Sequence, residues 1–257
     1  MIIDMKTFVT NRDGNKIATV VEGPEVKGKL AFVMHGLSGR KDEKPIRSII
    51  ESFVEDDYTV VSFDAVHTFG ESTGGLYEDA TITNYYADLE DVINWASTQD
   101  WYSEPFALAG HSLGAICVAL FAQKYPEKVS ALAPLSTVIS GKFSLQTQES
   151  DFDRWKREGT KTEMSHDGLR KKVLKWSHME DRLKYDLLDN VDKLAMPVLM
   201  AVGEFDDITP IAQQQILFDK LPGKKEFHII KGAEHSFYEP NEQIELKQIV
   251  KNWIATL

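Results

Sequence analysis

A single cysteine, Cys117, stands among 257 residues, so no internal disulfide can form and an oxidising compartment is not what holds this chain together. No apolar run approaches the roughly 20 residues of a spanning helix. Runs such as Leu30 to Met34 and Pro197 to Val202 have the length of buried strands. The start, Met1-Ile2-Ile3-Asp4-Met5-Lys6, lacks the basic and apolar regions of an export signal. The expectation is a cytoplasmic protein with no membrane partner. Positive charge is also short: 29 Lys and Arg face 40 acids, and the net charge of -11 repels phosphate backbones and anionic headgroups. No nucleic-acid partner is expected. With 16 Gly and 9 Pro the chain is far from fibrous or low-complexity composition. Hydrophobic residues at 42%, aromatics at 10% among the whole, supply a packed core of enzyme size.

Short apolar runs alternate with longer helical patterns after the first thirty residues, the rhythm of an α/β fold with a mostly parallel sheet and crossover helices. Met5 to Thr10 and Lys16 to Glu22, around Asp13-Gly14, read as an antiparallel hairpin. Leu30 to Met34, Thr59 to Phe63, Phe106 to Ala109, Val129 to Ala133, Val198 to Val202 and Phe227 to Ile230 read as strands covered on both faces. About eight strands result. Tyr85, Leu89, Val92, Ile93 and Ala96 share one helical face, as do Ile116 and Leu120 with Ala119 and Ala122 beside them. Thr209 and Pro210 read as the cap and first position of a later helix, and Asn241-Glu242 as the opening of the last, with Leu246, Ile249, Val250, Trp253 and Ile254 as its buried stripe. From about Ser136 to Asn190 the strand rhythm stops. Ser150 to Gly159 and Leu169 to Leu188 are charged and helical in pattern, so residues 136–190 read as a cap inserted between core segments 1–135 and 191–257.

Gly110-His111-Ser112-Leu113-Gly114 is a G-x-S-x-G motif between a buried strand and an apolar helix. A serine at the apex of so sharp a turn is forced into strained backbone angles, and glycines on either side keep the returning chain from clashing. The turn exposes the Ser112 hydroxyl and puts the Leu113 N–H at a helix start, where it can donate to an oxyanion. Gly70-Glu71-Ser72-Thr73-Gly74 fits the same pattern without a strand before it or an apolar helix after it, and reads as a polar loop.

Ser112 needs a base, and seven histidines compete for the role. His228 lies in a strand pattern, His111 neighbours the nucleophile and points elsewhere, His166 and His178 belong to the insert, and His67 sits in the second motif's loop. His235, in Gly232-Ala233-Glu234-His235-Ser236-Phe237, follows the last strand and opens at the same carboxyl edge of the sheet as Ser112. A histidine base also implies turnover that falls toward acid pH. The carboxylate that fixes its tautomer comes from Gly203-Glu204-Phe205-Asp206-Asp207, directly after a strand; Asp206 is the first choice and Asp207 the next. Met34-His35-Gly36-Leu37, after the first inner strand, supplies the second oxyanion donor, the Leu37 N–H.

Together the Met34-His35-Gly36-Leu37 loop, the Ser112 turn, the Gly203-x-x-Asp206-x-x-x-Pro210 loop and the His235 loop, in this order, resemble the α/β-hydrolase superfamily over essentially the whole chain. Phe63-Asp64, Gly70-Glu71-Ser72 and the insert make it most similar to small microbial carboxylesterases of the cinnamoyl and feruloyl type, filed beside serine-aminopeptidase-like proteins. The resemblance implies that Ser112 attacks a carboxyl ester, that His235 shuttles the proton with Asp206 orienting it, and that Leu37 and Leu113 hold the oxyanion. The chain departs from the common pattern at Ala65-Val66-His67-Thr68-Phe69, where a glycine-rich stretch is usual. Serine at the turn argues against dienelactone hydrolases, which use cysteine, and against dehalogenases, which use aspartate.

A small-molecule ester substrate with short-chain or aromatic acyl groups is the expectation, with no metal or organic cofactor. Trp155, Phe143 and Trp176 of the insert are candidates for its binding, with Phe152 and Tyr185 beside them. Two alternatives stay open. An amide hydrolase of the serine-aminopeptidase type would aim an acid such as Glu163 or Asp167 at the substrate amine, and a binding protein on the same scaffold would use none of these groups.

Overall fold

The computed structural model describes residues 2–147, 149–165 and 168–257. His166 and Asp167, considered above as a competing histidine and a candidate amine anchor, lie outside them. Ten strands and eight α-helices follow along the described chain: β1 (Ile2–Thr10), β2 (Lys16–Pro24), β3 (Leu30–Met34), α1 (Lys44–Val54), β4 (Thr59–Phe63), α2 (Ile82–Ala96), β5 (Phe106–His111), α3 (Leu113–Lys124) and β6 (Val129–Leu135) come first. Then come α4 (Gly141–Thr147), α5 (Glu149–Glu158), β7 (Thr160–Met164), β8 (Lys171–Lys175), α6 (Ser177–Arg182), β9 (Val198–Gly203), α7 (Ile211–Lys220), β10 (Lys225–Ile230) and α8 (Pro240–Ile254). Eight strands form one sheet in the order β1-β2-β4-β3-β5-β6-β9-β10, antiparallel through β1, β2 and β4 and parallel from there on.

Alternation along each strand divides the core between the two faces of the sheet. Phe32, Phe106, Leu108 and Met200 turn to the layer that holds α2, α3 and α7. Ala31, Val33, Ala107, Ala109, Ala131 and Ala133 turn to the other, where α1 and α8 pack through Ile46, Ile49, Phe53, Val250 and Trp253. Alanine dominates the central strands on that second side, and small side chains let a helix approach the sheet closely. Nearly all of α3 is buried, as its all-round apolarity requires. Among the described residues no helix is long and apolar enough to cross a membrane.

Four expectations are corrected. Leu169 to Leu188 is not helical throughout: Lys171–Lys175 is a strand paired antiparallel with Thr160–Met164, and only Ser177–Arg182 forms an α-helix before a 3₁₀ stretch at Leu187–Lys193. Gly159, at φ 75°, turns the chain out of α5 into this hairpin, and Trp155 fastens it by donating its indole N–H to the Leu174 carbonyl (3.0 Å). Phe227 to Ile230 is an edge strand, half-buried and not covered on both faces, with Ile229 exposed. The helix after β9 begins one residue later than expected, with Pro210 as its cap, because the Thr209 hydroxyl is taken by Asp206. The last helix opens earlier, at Pro240, through a capping box in which Glu239 and Glu242 satisfy each other's backbone N–H.

Candidate active site

Ser112 joins β5 to α3 at φ 55° and ψ -116°, a region that L-residues avoid. Two contacts explain why the chain tolerates this: the Ser112 N–H donates to the Leu135 carbonyl at the end of β6 (3.0 Å), and glycines let neighbouring backbone come unusually close. A Cβ on Gly114 would lie 2.3 Å from the His35 carbonyl oxygen, and one on Gly36 would lie 3.0 Å from Ser112 Cβ. The loop after β3 is thereby pressed against the serine. Leu37 follows Gly36 in that loop and Leu113 follows Ser112 into α3, and among the described residues neither backbone N–H donates to a protein acceptor.

The Ser112 hydroxyl donates to His235 Nε2 (2.8 Å), and His235 Nδ1–H donates to Asp206 Oδ2 (2.9 Å). Facing a carboxylate, Nδ1 carries the proton, which leaves Nε2 as the acceptor that a base requires. Asp206 is buried. Its second oxygen accepts from the N–H groups of Ile208 (3.0 Å) and Thr209 (2.7 Å), and the Thr209 hydroxyl donates to Oδ2 (2.8 Å). Burial alone would raise this carboxyl, but the hydrogen bonds from His235 and Thr209 outweigh it and hold the group down at about 2. The neighbouring Asp207 is exposed to solvent.

His111 does not point away from the site, as its place in the turn suggested. Its Nε2–H donates to the His235 carbonyl (2.8 Å), and the two rings lie 5.0 Å apart. Burial, with the nearby His235, pushes the His111 imidazole down to about 3, so it stays neutral and does not compete for the proton. His35 fastens the opposite side: Nδ1–H donates to the Gly36 carbonyl (2.7 Å) and Nε2 accepts from the Ala65 N–H (3.0 Å), and burial keeps it neutral too. Behind it, Asp64 accepts from Lys41 Nζ (2.7 Å), the Lys41 N–H (2.8 Å) and the Glu71 N–H (2.8 Å). Burial opposes both charges, yet the pairing holds the Asp64 carboxyl below and the Lys41 ammonium above their ordinary ranges.

Ser72 belongs to this knot. Its hydroxyl donates to the Asp64 carbonyl (2.6 Å) and accepts from the Ala18 N–H (2.8 Å), which leaves it no role as a nucleophile. His67 and His228 are likewise engaged elsewhere, at the Leu76 carbonyl and at Glu226 on the sheet edge.

A cavity of about 780 Å³ lies over Ser112 and His235, walled below by the Gly36 to Ile46 segment and above by residues of α5, the β7–β8 hairpin and α6. Trp155 and Phe152 line it; Phe143 and Trp176 do not. Trp176 packs edge-on against Trp155 at 5.4 Å, and Phe143 packs into the core. Tyr185 pairs its hydroxyl with Thr83 (2.6 Å). Phe69, Tyr77, Leu174 and Met179 line the cavity instead, a set that no local pattern distinguishes from ordinary packing residues. Among the described residues no group of three or more His, Cys, Asp or Glu is arranged to hold a metal ion.

A family model described as Serine aminopeptidase, S33, matches residues 28–158, the stretch that carries Gly36, Leu37 and Ser112. Comparison with curated proteins finds no match. Among solved structures the chain is similar to Est1E from Butyrivibrio proteoclasticus with ferulic acid bound, at 22% identity and a TM-score of 0.77 over 97% of this chain and 98% of that one. It is also similar to alpha/beta hydrolase domain-containing protein 10 from mouse, at 18% identity and a TM-score of 0.80 over 98% and 99%. The esterase domain of a Rhodothermus marinus protein matches at 20% identity and a TM-score of 0.71 over 99% and 98%. At these identities the likeness establishes a shared α/β-hydrolase fold.

Proposed function

The chain belongs to the serine aminopeptidase, S33, family of α/β-hydrolases, and on that premise we propose that it is a serine carboxylesterase working through an acyl-enzyme. The observation that carries the reading is the unbroken line of hydrogen bonds from Ser112 through His235 to Asp206 at the floor of an open cavity. As Ser112 Oγ attacks the ester carbonyl, its proton passes to His235 Nε2, and Asp206 stabilises the imidazolium that forms. The N–H groups of Leu37 and Leu113 receive the developing oxyanion. His235 then gives the proton to the departing alkoxide. Water enters and attacks the acyl carbonyl as His235 takes its proton, and the bond to Ser112 Oγ then breaks as His235 returns that proton to Oγ, releasing the carboxylic acid. The steps need no metal or organic cofactor.

Ester is favoured over amide by the state of Glu163. This acid lines the cavity from β7 half-exposed and paired with Lys161 (2.5 Å), which makes it a weaker partner for a substrate amine than a free, buried acid. Phe69, Phe152 and Trp155 on the cavity wall support short-chain or aromatic acyl groups, hydroxycinnamates among them, over long-chain lipids. The reading includes a small-molecule substrate and a cytoplasmic setting, the latter supported by the lone, buried Cys117. Turnover of an ester series from acetyl to palmitoyl, with methyl ferulate and an aminoacyl anilide, tests it. Short or aromatic esters are expected to lead. An anilide hydrolysed well above every ester makes the protein an aminopeptidase, and a palmitoyl optimum removes the short-acyl claim.

A further inference from the structure

Arg182, in the last turn of α6, lines the cavity over Ser112 from above. Its Nη1 reaches the Ser144 hydroxyl (3.3 Å), while its Nε is shut off from solvent and has no hydrogen-bond partner among the described residues. Among the described residues no carboxylate neutralises it. The group whose charge it feels is the Tyr77 phenol, and burial raises that phenol, so Tyr77 is uncharged and cannot serve as a counterion. His178, on the same helix and the same wall, donates Nδ1–H to the Ala80 carbonyl (2.8 Å), and burial drives its imidazole down to about 3, so it too brings no charge. Burial lowers the Arg182 guanidinium to about 10, still protonated at neutral pH.

The neighbouring wall repeats the sign. Lys161, Arg170 and Lys172 line the cavity beside Arg182 with Glu163 as the acid among them, while Asp42, Glu43 and Glu239 line it from other segments; six cations face four acids there, in a chain whose net charge is -11. Lys161 pairs with Glu163, which leaves Arg170 and Lys172 beside Arg182, and the Arg170 guanidinium lies over the Phe69 ring at 4.6 Å. A desolvated cation without an anion is costly. A buried cation that lines a cavity beside a nucleophile is a candidate to receive an anionic group of the ligand.

We propose that Arg182 is the anchor for a carboxylate carried by the substrate, so that the preferred substrates are esters bearing a free carboxylate group. This deepens the esterase reading and rests on it. Tyr77 and Ser38 line the same cavity as Arg182, with the Tyr77 phenol against the Ser38 side chain next to Leu37. The carboxylate can sit on the acyl chain or on the alcohol, and a guanidinium recognises both by the same paired N–H groups.

The test compares kcat/KM for ethyl hydrogen esters of the four- to eight-carbon dicarboxylic acids with the neutral ethyl esters of matching length. A second arm compares butanoyl esters of hydroxy acids with those of the corresponding alcohols. Wild type is expected to favour the charged member of at least one pair by about 10- to 100-fold, the range of a charge-assisted hydrogen bond. That ratio collapses toward one in Arg182→Met and returns in part in Arg182→Lys. The ratio is read within each protein, so a general loss of activity in a variant cancels. Binding of ethyl hydrogen adipate and of ethyl hexanoate to Ser112→Ala, with and without Arg182→Met, gives the same comparison without turnover. Neutral esters hydrolysed as fast as every charged partner, or a preference that survives in Arg182→Met, overturns the anchor and leaves the esterase intact. Absence of any ester turnover removes the esterase reading, and the anchor with it.

Discussion

The Ser112 conformation, strained in isolation, is held by one backbone hydrogen bond to β6 and by the absence of side chains at Gly36, Gly110 and Gly114. What the strain secures is direction: Oγ stands toward His235 Nε2 and away from the sheet. Ser112→Ala and His235→Ala are each expected to abolish p-nitrophenyl acetate hydrolysis while the proteins keep the wild-type Tm within a few degrees. Asp206→Asn is expected to lose on the order of 10⁴-fold in kcat, because the amide turns His235 to the wrong tautomer. Asp207→Asn, exposed and outside the hydrogen-bonded line, keeps wild-type turnover. The opposite pattern at 206 and 207 moves the acid by one residue. At this scale the sequence was most legible where backbone geometry restricts residue choice, as at Ser112, and where chain order restricts position, as at Asp206 and His235. It misled at His111, whose ring supports the His235 loop through a contact 124 residues away that no local pattern encodes. Arg182 was illegible for the same reason, since only the folded chain reveals that it lacks an acid.

Elements are tied together by buried polar groups, and Asp88 on α2 is the clearest case. Its oxygens accept from the Asn11 amide in the β1–β2 turn (3.0 Å) and from the Val66 N–H after β4 (2.7 Å). Burial outweighs both bonds and pushes this carboxyl up to about 6. A carboxyl raised on folding favours the native state while it is protonated, so its contribution is complete below the unfolded value, near 3.9, and is lost as pH rises through about 6. The size is on the order of 3 kcal/mol. Urea unfolding of wild type between pH 4 and 7 is expected to show this loss, and Asp88→Asn to lack that part of the slope whatever its absolute stability. Equal slopes in the two proteins contradict the assignment. The strands were readable because burial on both faces leaves near-continuous apolar runs, as at Leu30–Met34 and Thr59–Phe63. The insert was not, because the β7–β8 hairpin is two short, charged strands that earn their pairing from Trp155 and from each other.

Taken as a whole, the molecule sets a rigid two-sided sheet beneath a wall of shorter elements. Ser112, Asp206 and His235 come from β-to-α connections at the carboxyl ends of β5, β9 and β10, which the parallel sheet brings to one edge although they span 123 residues of chain. That edge was foreseeable from the alternation of strands and helices. Which aromatics would face the cavity was not, because Trp155 and Trp176 carry the same chemistry and only packing distinguishes the one on the wall from the one behind it.

The nucleophilic role of Ser112 is tested most directly by treating the folded protein with a fluorophosphonate and locating the adduct by peptide mass spectrometry. The account predicts one label per chain, on Ser112, abolished in Ser112→Ala and strongly slowed in His235→Ala. A folded protein that takes no label, or takes it on Ser72, contradicts it.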